Sequence, residues 1–337
     1  MRVSDFTYSL PESAIAQEPI EPRHDSRLLD TRDLSDHRFL DLPQRLRPGD
    51  LVVVNDTKVR SARLVGVRSG TGGRVELLVL RPLSDGTWQA LARPSRRLRP
   101  GVRIEFRGLA ATILDGPEDG LVVVELEAGD IEAAIDDAGE LPLPPYFKGP
   151  LVDPDRYQTM FARLPGSAAA PTAGLHFTDD VVAGLQKRGI EMATIDLHVG
   201  IDTFRPIAVD VIEDHRMHTE WCSVPAATVD AIDAARDRAG AVVAIGTTVV
   251  RALESSVDAD GNLTPGTRET DLFLRPGSPF RVVDTLVTNF HVPGSTLMVM
   301  VAAFMGERWR DAYRHALDRG YRFLSFGDAM LASRHDR

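Results

Sequence analysis

The polar residues best suited to chemistry sit in short segments, each following an apolar run. Gly246-Thr247-Thr248 ends one such run and leads directly into a helical pattern. A glycine there lets a ligand approach the backbone. The first-turn N–H groups and two hydroxyls suit a carboxylate or a phosphate. Arg251 and Glu254 lie one turn apart on the same predicted helix, where a surface ion pair is their simpler use. Upstream, the segment 170–178 sets Thr172, Gly174 and His176 just ahead of another helix start. A histidine beside hydroxyls suits proton transfer, and a core histidine with satisfied hydrogen bonds fits the same pattern. His198, closing a strand before Gly200, carries the same two readings. The segment 288–295 repeats the strand-to-helix turn and offers Asn289 and His291, with Ser295 as a helix cap.

Other segments narrow the class. Asp214-His215-Arg216-Met217-His218-Thr219-Glu220 invites a metal, yet its spacing is not HExxH and no third ligand is nearby. No GxGxxG, GxxxxGK[ST] or GxSxG pattern occurs, which disfavours dinucleotide, P-loop and α/β-hydrolase chemistry. The single cysteine, Cys222, excludes an internal disulfide and a CxxC zinc site, and reads as a buried thiol. A net charge of −10 is weak testimony against a polyanionic partner, because such partners are bound by local patches. One patch exists. Arginines 93, 96, 97, 99, 103 and 107 are accompanied by a single acid, Glu105. It reads either as a nucleic-acid contact or as a solvated charged face. The N-terminus lacks an apolar signal core, and no apolar run approaches the roughly 18 residues of a membrane span, so a soluble, cytoplasmic protein is expected.

The elements that must position these residues fall into two patterns. The apolar run 51–54, after the turn signal Pro48-Gly49, reads as a buried strand ending at Asn55-Asp56-Thr57. From about 61 to 145, strands at 63–67, 74–80, 88–92, 102–106, 111–114 and 121–125 are separated by Gly, Pro and Asp turns such as Gly70-Thr71-Gly72-Gly73 and Ser84-Asp85-Gly86. That spacing predicts a small all-β barrel, closed by the stiff connector 141–145. Beyond 150, helices are predicted over 179–188 (capped by Thr178), 227–239, 248–257, 295–305 and 307–319. Strands are predicted over 191–198, 241–245, 280–288 and 322–326. The alternation predicts a layered α/β domain. With strand 51–54 joining its sheet, residues 1–60 and 150–337 form a discontinuous α/β domain and 61–149 an inserted barrel.

Taken in order, these segments resemble one family. They include Pro22-Arg23-His24-Asp25-Ser26-Arg27-Leu28-Leu29, Asn55-Asp56-Thr57-Lys58-Val59, Leu141-Pro142-Leu143-Pro144-Pro145-Tyr146 and Arg156-Tyr157-Gln158-Thr159. Further along come Ala170-Pro171-Thr172-Ala173-Gly174-Leu175-His176-Phe177-Thr178, Leu197-His198-Val199-Gly200, His215-Arg216-Met217-His218, Gly246-Thr247-Thr248, Thr288-Asn289-Phe290-His291 and Phe326-Gly327-Asp328-Ala329-Met330. Together they resemble the S-adenosylmethionine:tRNA ribosyltransferase-isomerases of queuosine biosynthesis. Three positions depart from that family's pattern: Gly294 stands in place of a basic residue, Ile201-Asp202-Thr203 in place of Leu-Gly-Thr, and Arg60-Ser61 in place of Ile-Pro.

The resemblance implies an enzyme without metal or cofactor that consumes S-adenosylmethionine as a substrate. Its ribosyl group passes, with isomerisation, to 7-aminomethyl-7-deazaguanine at the wobble position of GUN-anticodon tRNAs (Tyr, His, Asn, Asp). Adenine and methionine leave, and epoxyqueuosine remains. A monomer with no membrane partner is expected. A tRNA methyltransferase using the same donor, or a noncatalytic tRNA-binding protein, are the competing readings. The sulfonium acidifies the neighbouring C5′ proton, so a modest base suffices, and a general acid helps adenine leave. On this reading His176 or His198 serves as base or acid, and Asp56 and Glu254 orient groups or face the sulfonium. Thr172, Gly174, Gly246, Thr247, Thr248, Arg251, Asn289 and His291 bind substrate, while Arg93, Arg96, Arg97 and Arg99 touch tRNA phosphates.

Overall fold

The computed structural model describes residues 1–83, 85–118, 120–149, 151, 153–200 and 207–335. The departure at Ile201-Asp202-Thr203 and the turn residue Ser84 lie outside the described residues. Contacts divide the chain into two units: Met1–Thr57, Pro145–Leu164 and Ala170–Arg337 form one, and Lys58–Pro144 with Pro165–Ala169 the other.

The first unit is built on a nine-stranded mixed sheet. Its order is Gly266–Thr270, Glu220–Val224, Glu191–Leu197, Leu51–Asn55, Val242–Ile245, Thr285–Asn289, Ala329–Ser333, Arg27–Asp30 and Ser35–Arg38. The strand foreseen at 51–54 therefore lies inside this sheet. Leu51–Asn55 and Val242–Ile245 are buried at every residue, as unbroken apolar runs covered on both faces must be. The four strands from Glu191–Leu197 to Thr285–Asn289 run parallel, so their carboxyl ends share one edge. Helices Ala226–Asp237 and Thr247–Glu254 pack on this sheet. Helix Thr296–Met305 is largely apolar and buried at nine of its ten positions, with Leu297 half-buried, and the Ser295 hydroxyl caps it by accepting from Met298 N at 3.2 Å. Among the described residues no helix is long and apolar enough to cross a membrane.

Three details differ from expectation. The last strand is Ala329–Ser333, not 322–326. Leu324 adopts a φ of +69°, and the Asp328 carboxylate accepts from Arg322 N and Arg27 N, bending the apolar run into a turn. Its burial was legible, whereas its shape was not. The strand expected at 280–288 begins only at Thr285, because Glu254 binds the N–H groups of Arg281, Val282 and Val283 and draws them out of the ladder. Thr178 precedes helix Asp179–Lys187 as foreseen, but its hydroxyl bonds His24 Nδ1 at 2.7 Å instead of capping.

The second unit contains a closed six-stranded antiparallel barrel, ordered Leu121–Glu127, Trp88–Arg93, Arg74–Pro82, Arg63–Arg68, Arg103–Glu105 and Ala110–Glu118. Alternating burial along Leu121–Glu127 puts Val122, Val124 and Leu126 inside, while Glu125 and Glu127 face out. Closure leaves no free strand edge. A short helix, Ile131–Ala138, follows, capped by Asp130 Oδ1 accepting from Ala133 N at 3.1 Å.

Candidate active site

Strands Val242–Ile245 and Thr285–Asn289 end side by side, at the sheet edge where open α/β sheets bind ligands. A cavity of about 750 Å³, solvent-open space included, begins there. Thr172, Gly246, Thr247, Thr248, Asn289 and His291 all line it. That size suits a nucleoside ligand. Gly246 has a φ of +92°, a conformation that strains any side chain, and this turn aims the first N–H groups of helix Thr247–Glu254 at the space. The Thr248 hydroxyl is buried there without a hydrogen-bond partner. No charged side chain is among the described lining residues, which include the aromatic Tyr146, whereas the Phe290 ring is buried against Tyr313, Tyr321 and Phe323.

Behind the lining runs a chain of hydrogen bonds. Thr172 Oγ1 donates to Asn289 Oδ1 at 2.8 Å. Asn289 Nδ2 lies 3.2 Å from His176 Nε2 and donates to the Asp328 carbonyl at 3.4 Å. A carbonyl only accepts, so the amide orientation is set, and His176 Nε2 must be the acceptor. Its proton is then on Nδ1, 2.7 Å from Ser26 Oγ. His176 also stacks on Phe39, with ring centroids 4.8 Å apart. Burial pulls its pKa down to about 3, helped by the charges of Arg322 and Arg23. It is neutral, fully occupied, and reaches the cavity through Asn289. His291 faces the cavity itself, with Nε2 2.9 Å from Thr288 Oγ1, and burial lowers its pKa likewise to about 3.

The remaining residues named from sequence are placed elsewhere. Glu254 is buried beneath the sheet, its carboxylate spent on three backbone N–H groups, and burial raises its pKa. Arg251 does not pair with it. The guanidinium bonds Glu220 within the interior and the Thr270 and Leu272 carbonyls. A helical spacing of three suggested partners, but the backbone N–H groups at 281–283 and the Glu220 carboxylate captured the two side chains. Asp56 is buried, with Oδ2 2.5 Å from Arg163 Nη2 and Oδ1 unpartnered. His198 is half-buried against Trp221, 3.2 Å from Asp196 Oδ2. Gly174 packs against Thr159. None of these five lines the cavity. Among the described residues no three His, Cys, Asp or Glu side chains gather as a metal set.

Sequence reading missed Ser26, Tyr146 and Ser325. Tyr146 and Ser325 both line the cavity, with their hydroxyls 2.5 Å apart. Ser26 and Tyr146 lie in segments flagged by the family resemblance, but nothing in their spacing announced a role. Gly294, where a basic residue was expected, has a φ of +66° and sits against Val3 and Thr7.

On the barrel, Arg93, Arg96, Arg97 and Arg99 are all exposed, and none forms an ion pair among the described residues. Arg103 pairs with Glu105 and Glu127, and Arg107 with Asp137. The stretch thus divides into three uncommitted cations, one (Arg93) that faces Glu76 across the ladder and joins Arg63 in lowering its pKa, and two that are ion-paired.

Comparison with known proteins gives one answer. A family model described as "Queuosine biosynthesis protein" matches residues 3–332. The S-adenosylmethionine:tRNA ribosyltransferase-isomerase of Moorella thermoacetica is 49% identical over 340 residues, covering 98% of this chain and 99% of that protein. Its counterpart in an Anaeromyxobacter species is 51% identical over 347 residues and covers 100% of both. A crystal structure of S-adenosylmethionine tRNA ribosyltransferase from Thermotoga maritima is 35% identical, with a TM-score of 0.56, covering 97% of this chain and 99% of that one. Similarity at about half identity that runs nearly from end to end places this chain in the S-adenosylmethionine:tRNA ribosyltransferase-isomerase family.

Proposed function

We propose that this protein transfers and isomerises the ribosyl group of S-adenosylmethionine onto 7-aminomethyl-7-deazaguanine in tRNA, forming epoxyqueuosine and releasing adenine and methionine. Family membership supports the reaction. The observation that carries the site is the charge-free, largely apolar cavity at the shared strand edge, where a few polar groups from Thr172, Gly246, Thr247, Thr248, Asn289 and His291 converge. The reading extends to the wobble nucleotide of GUN-anticodon tRNAs, to a monomer, and to the cytoplasm, where such tRNAs are found.

In this reading the methionine carboxylate meets the N–H groups and hydroxyls of Gly246-Thr247-Thr248, where the helix terminus favours an anion. The sulfonium rests against Tyr146, whose aromatic ring attracts a cation without a formal counter-charge. Thr172 and Asn289 hold polar edges of the nucleoside, and the chain through His176 to Ser26 keeps them in register. His291 is the histidine on the cavity wall. Its neutral imidazole retains the lone pair that a base needs, and the sulfonium has already acidified the C5′ proton. His176 acts as a positioning residue because Asn289 occupies its acceptor nitrogen.

The test is incubation with S-adenosylmethionine and tRNA bearing the deazaguanine precursor. Free adenine and methionine are expected in equal amounts. S-adenosylhomocysteine would mean methyl transfer, and tRNA binding without turnover would mean a binding protein.

A further inference from the structure

Two segments singled out in the sequence, Pro22–Leu29 and Arg156–Thr159, meet at a second cavity of about 270 Å³. Arg23, Arg156, His176, Ser325, Phe326 and Gly327 line it. It adjoins the larger cavity. Ser325 belongs to both walls, and His176 here is bonded to Asn289 there. Backbone carbonyls hold the guanidiniums. Arg23 donates to Gln158 O at 2.7 Å and Asp155 O at 3.1 Å, and Arg156 donates to Ile20 O at 3.0 Å. Nearby, Arg322 donates to Glu18 O at 3.1 Å and Phe326 O at 2.9 Å.

Carbonyls fix a guanidinium in place but leave its charge unneutralised. Among the described residues no carboxylate lies within 4 Å of the side chains of Arg23 or Arg322, and Arg156 pairs only with the exposed Glu21. The Arg156 Nε is buried with no hydrogen-bond partner. Burial and the charge of Arg156 pull the Arg23 pKa down, against the opposing pull of the exposed Glu21, Asp153 and Asp155. Preset forks of this kind, with one buried Nε left open and only exposed acids around Arg23 and Arg156, suit a tetrahedral oxyanion bound by two guanidiniums.

We propose that this second cavity is an oxyanion subsite that takes one backbone phosphate of the RNA substrate, beside the nucleotide whose base enters the larger cavity. The inference rests on the larger cavity being the reaction centre. A phosphate is favoured over the methionine carboxylate because the helix terminus at Gly246 already offers carboxylate donors. A phosphate contact there would also anchor the strand while the base is withdrawn from its stack.

The test measures binding of a synthetic hairpin with the 7-aminomethyl-7-deazaguanine nucleotide in its loop, in the absence of S-adenosylmethionine. Neutral methylphosphonate linkages replace the loop phosphates one at a time. One linkage is expected to weaken binding to the unmodified protein by about tenfold or more. The same linkage should cause no further loss in Arg156→Gln, whose salt dependence drops by roughly one phosphate contact. Arg23→Lys, which keeps charge but not the fork, provides a second variant if Arg156→Gln melts early. Full sensitivity to the same linkage in both variants would overturn the subsite. So would indifference to every linkage, or a raised KM for S-adenosylmethionine with unchanged RNA binding. Because binding is read without turnover, a protein that releases no adenine would fail the reaction-centre reading and leave this test intact.

Discussion

The cavity at the strand edge and the arginine stretch of the barrel use polarity in opposite ways. In the cavity the polar groups are buried or nearly so and carry no formal charge, and Thr172 and Asn289 are tied to each other and, behind the wall, to His176 and Ser26. On the barrel Arg96, Arg97 and Arg99 are exposed, charged and in no ion pair among the described residues. Buried neutral networks are sensitive to the loss of one member, since each orphaned partner keeps its desolvation cost. Exposed cations act collectively and yield to salt. Reaction geometry and RNA attraction are therefore expected to fail separately, with different signatures.

The largest effect should come from the network's hub. Asn289→Ala leaves Thr172 Oγ1 and His176 Nε2 without their partner, so kcat/KM for adenine release is expected to fall by about 100-fold or more. RNA affinity and its salt dependence should hold. An intact rate in this variant would break the contrast. A smaller effect is expected on the barrel. Replacing Arg96, Arg97 and Arg99 together by alanine should weaken tRNA binding about tenfold at moderate salt and lower the logarithmic salt slope by roughly 2 to 3, leaving the KM for S-adenosylmethionine unchanged. A changed KM would blur the division between the two regions.

The smallest effect concerns acid stability. His176 and His291 have folded-state pKa values near 3, below the ordinary 6.5. Above about 6.5 their contribution is complete. As pH falls from there toward 3, the unfolded chain takes up protons that the buried rings refuse, and stability declines. His176→Gln should flatten the stability-versus-pH curve between pH 6 and 4 by about one proton per molecule unfolded. The barrel arginines, charged throughout, should leave that curve unmoved. Denaturant titrations across the range distinguish the two.

Much of this was legible in the sequence, and the exceptions have a common cause. The runs at 51–54 and 241–245 gave strands, and Gly246 marked a turn that only glycine adopts easily, because those features are local. The six hairpin-spaced strands gave the barrel for the same reason. What escaped was set by distant neighbours. Glu254 and Arg251 look like an ion pair on one helix, yet Val283 and Glu220 claim them. The strand at 322–326 was lost to the turn that Asp328 closes. Edge strands such as Ser35–Arg38 and Gly266–Thr270 are too polar to announce themselves. His176 could be named but not placed, since its role depends on Asn289, 113 residues away.

A crystal structure of the protein with S-adenosylmethionine bound tests the central claim most directly. The expected result is density in the larger cavity, with the methionine carboxylate against Gly246-Thr247-Thr248 and the nucleoside within reach of Thr172 and Asn289. Density for the ligand against Asp56 and His198, with that cavity filled only by water, would contradict it.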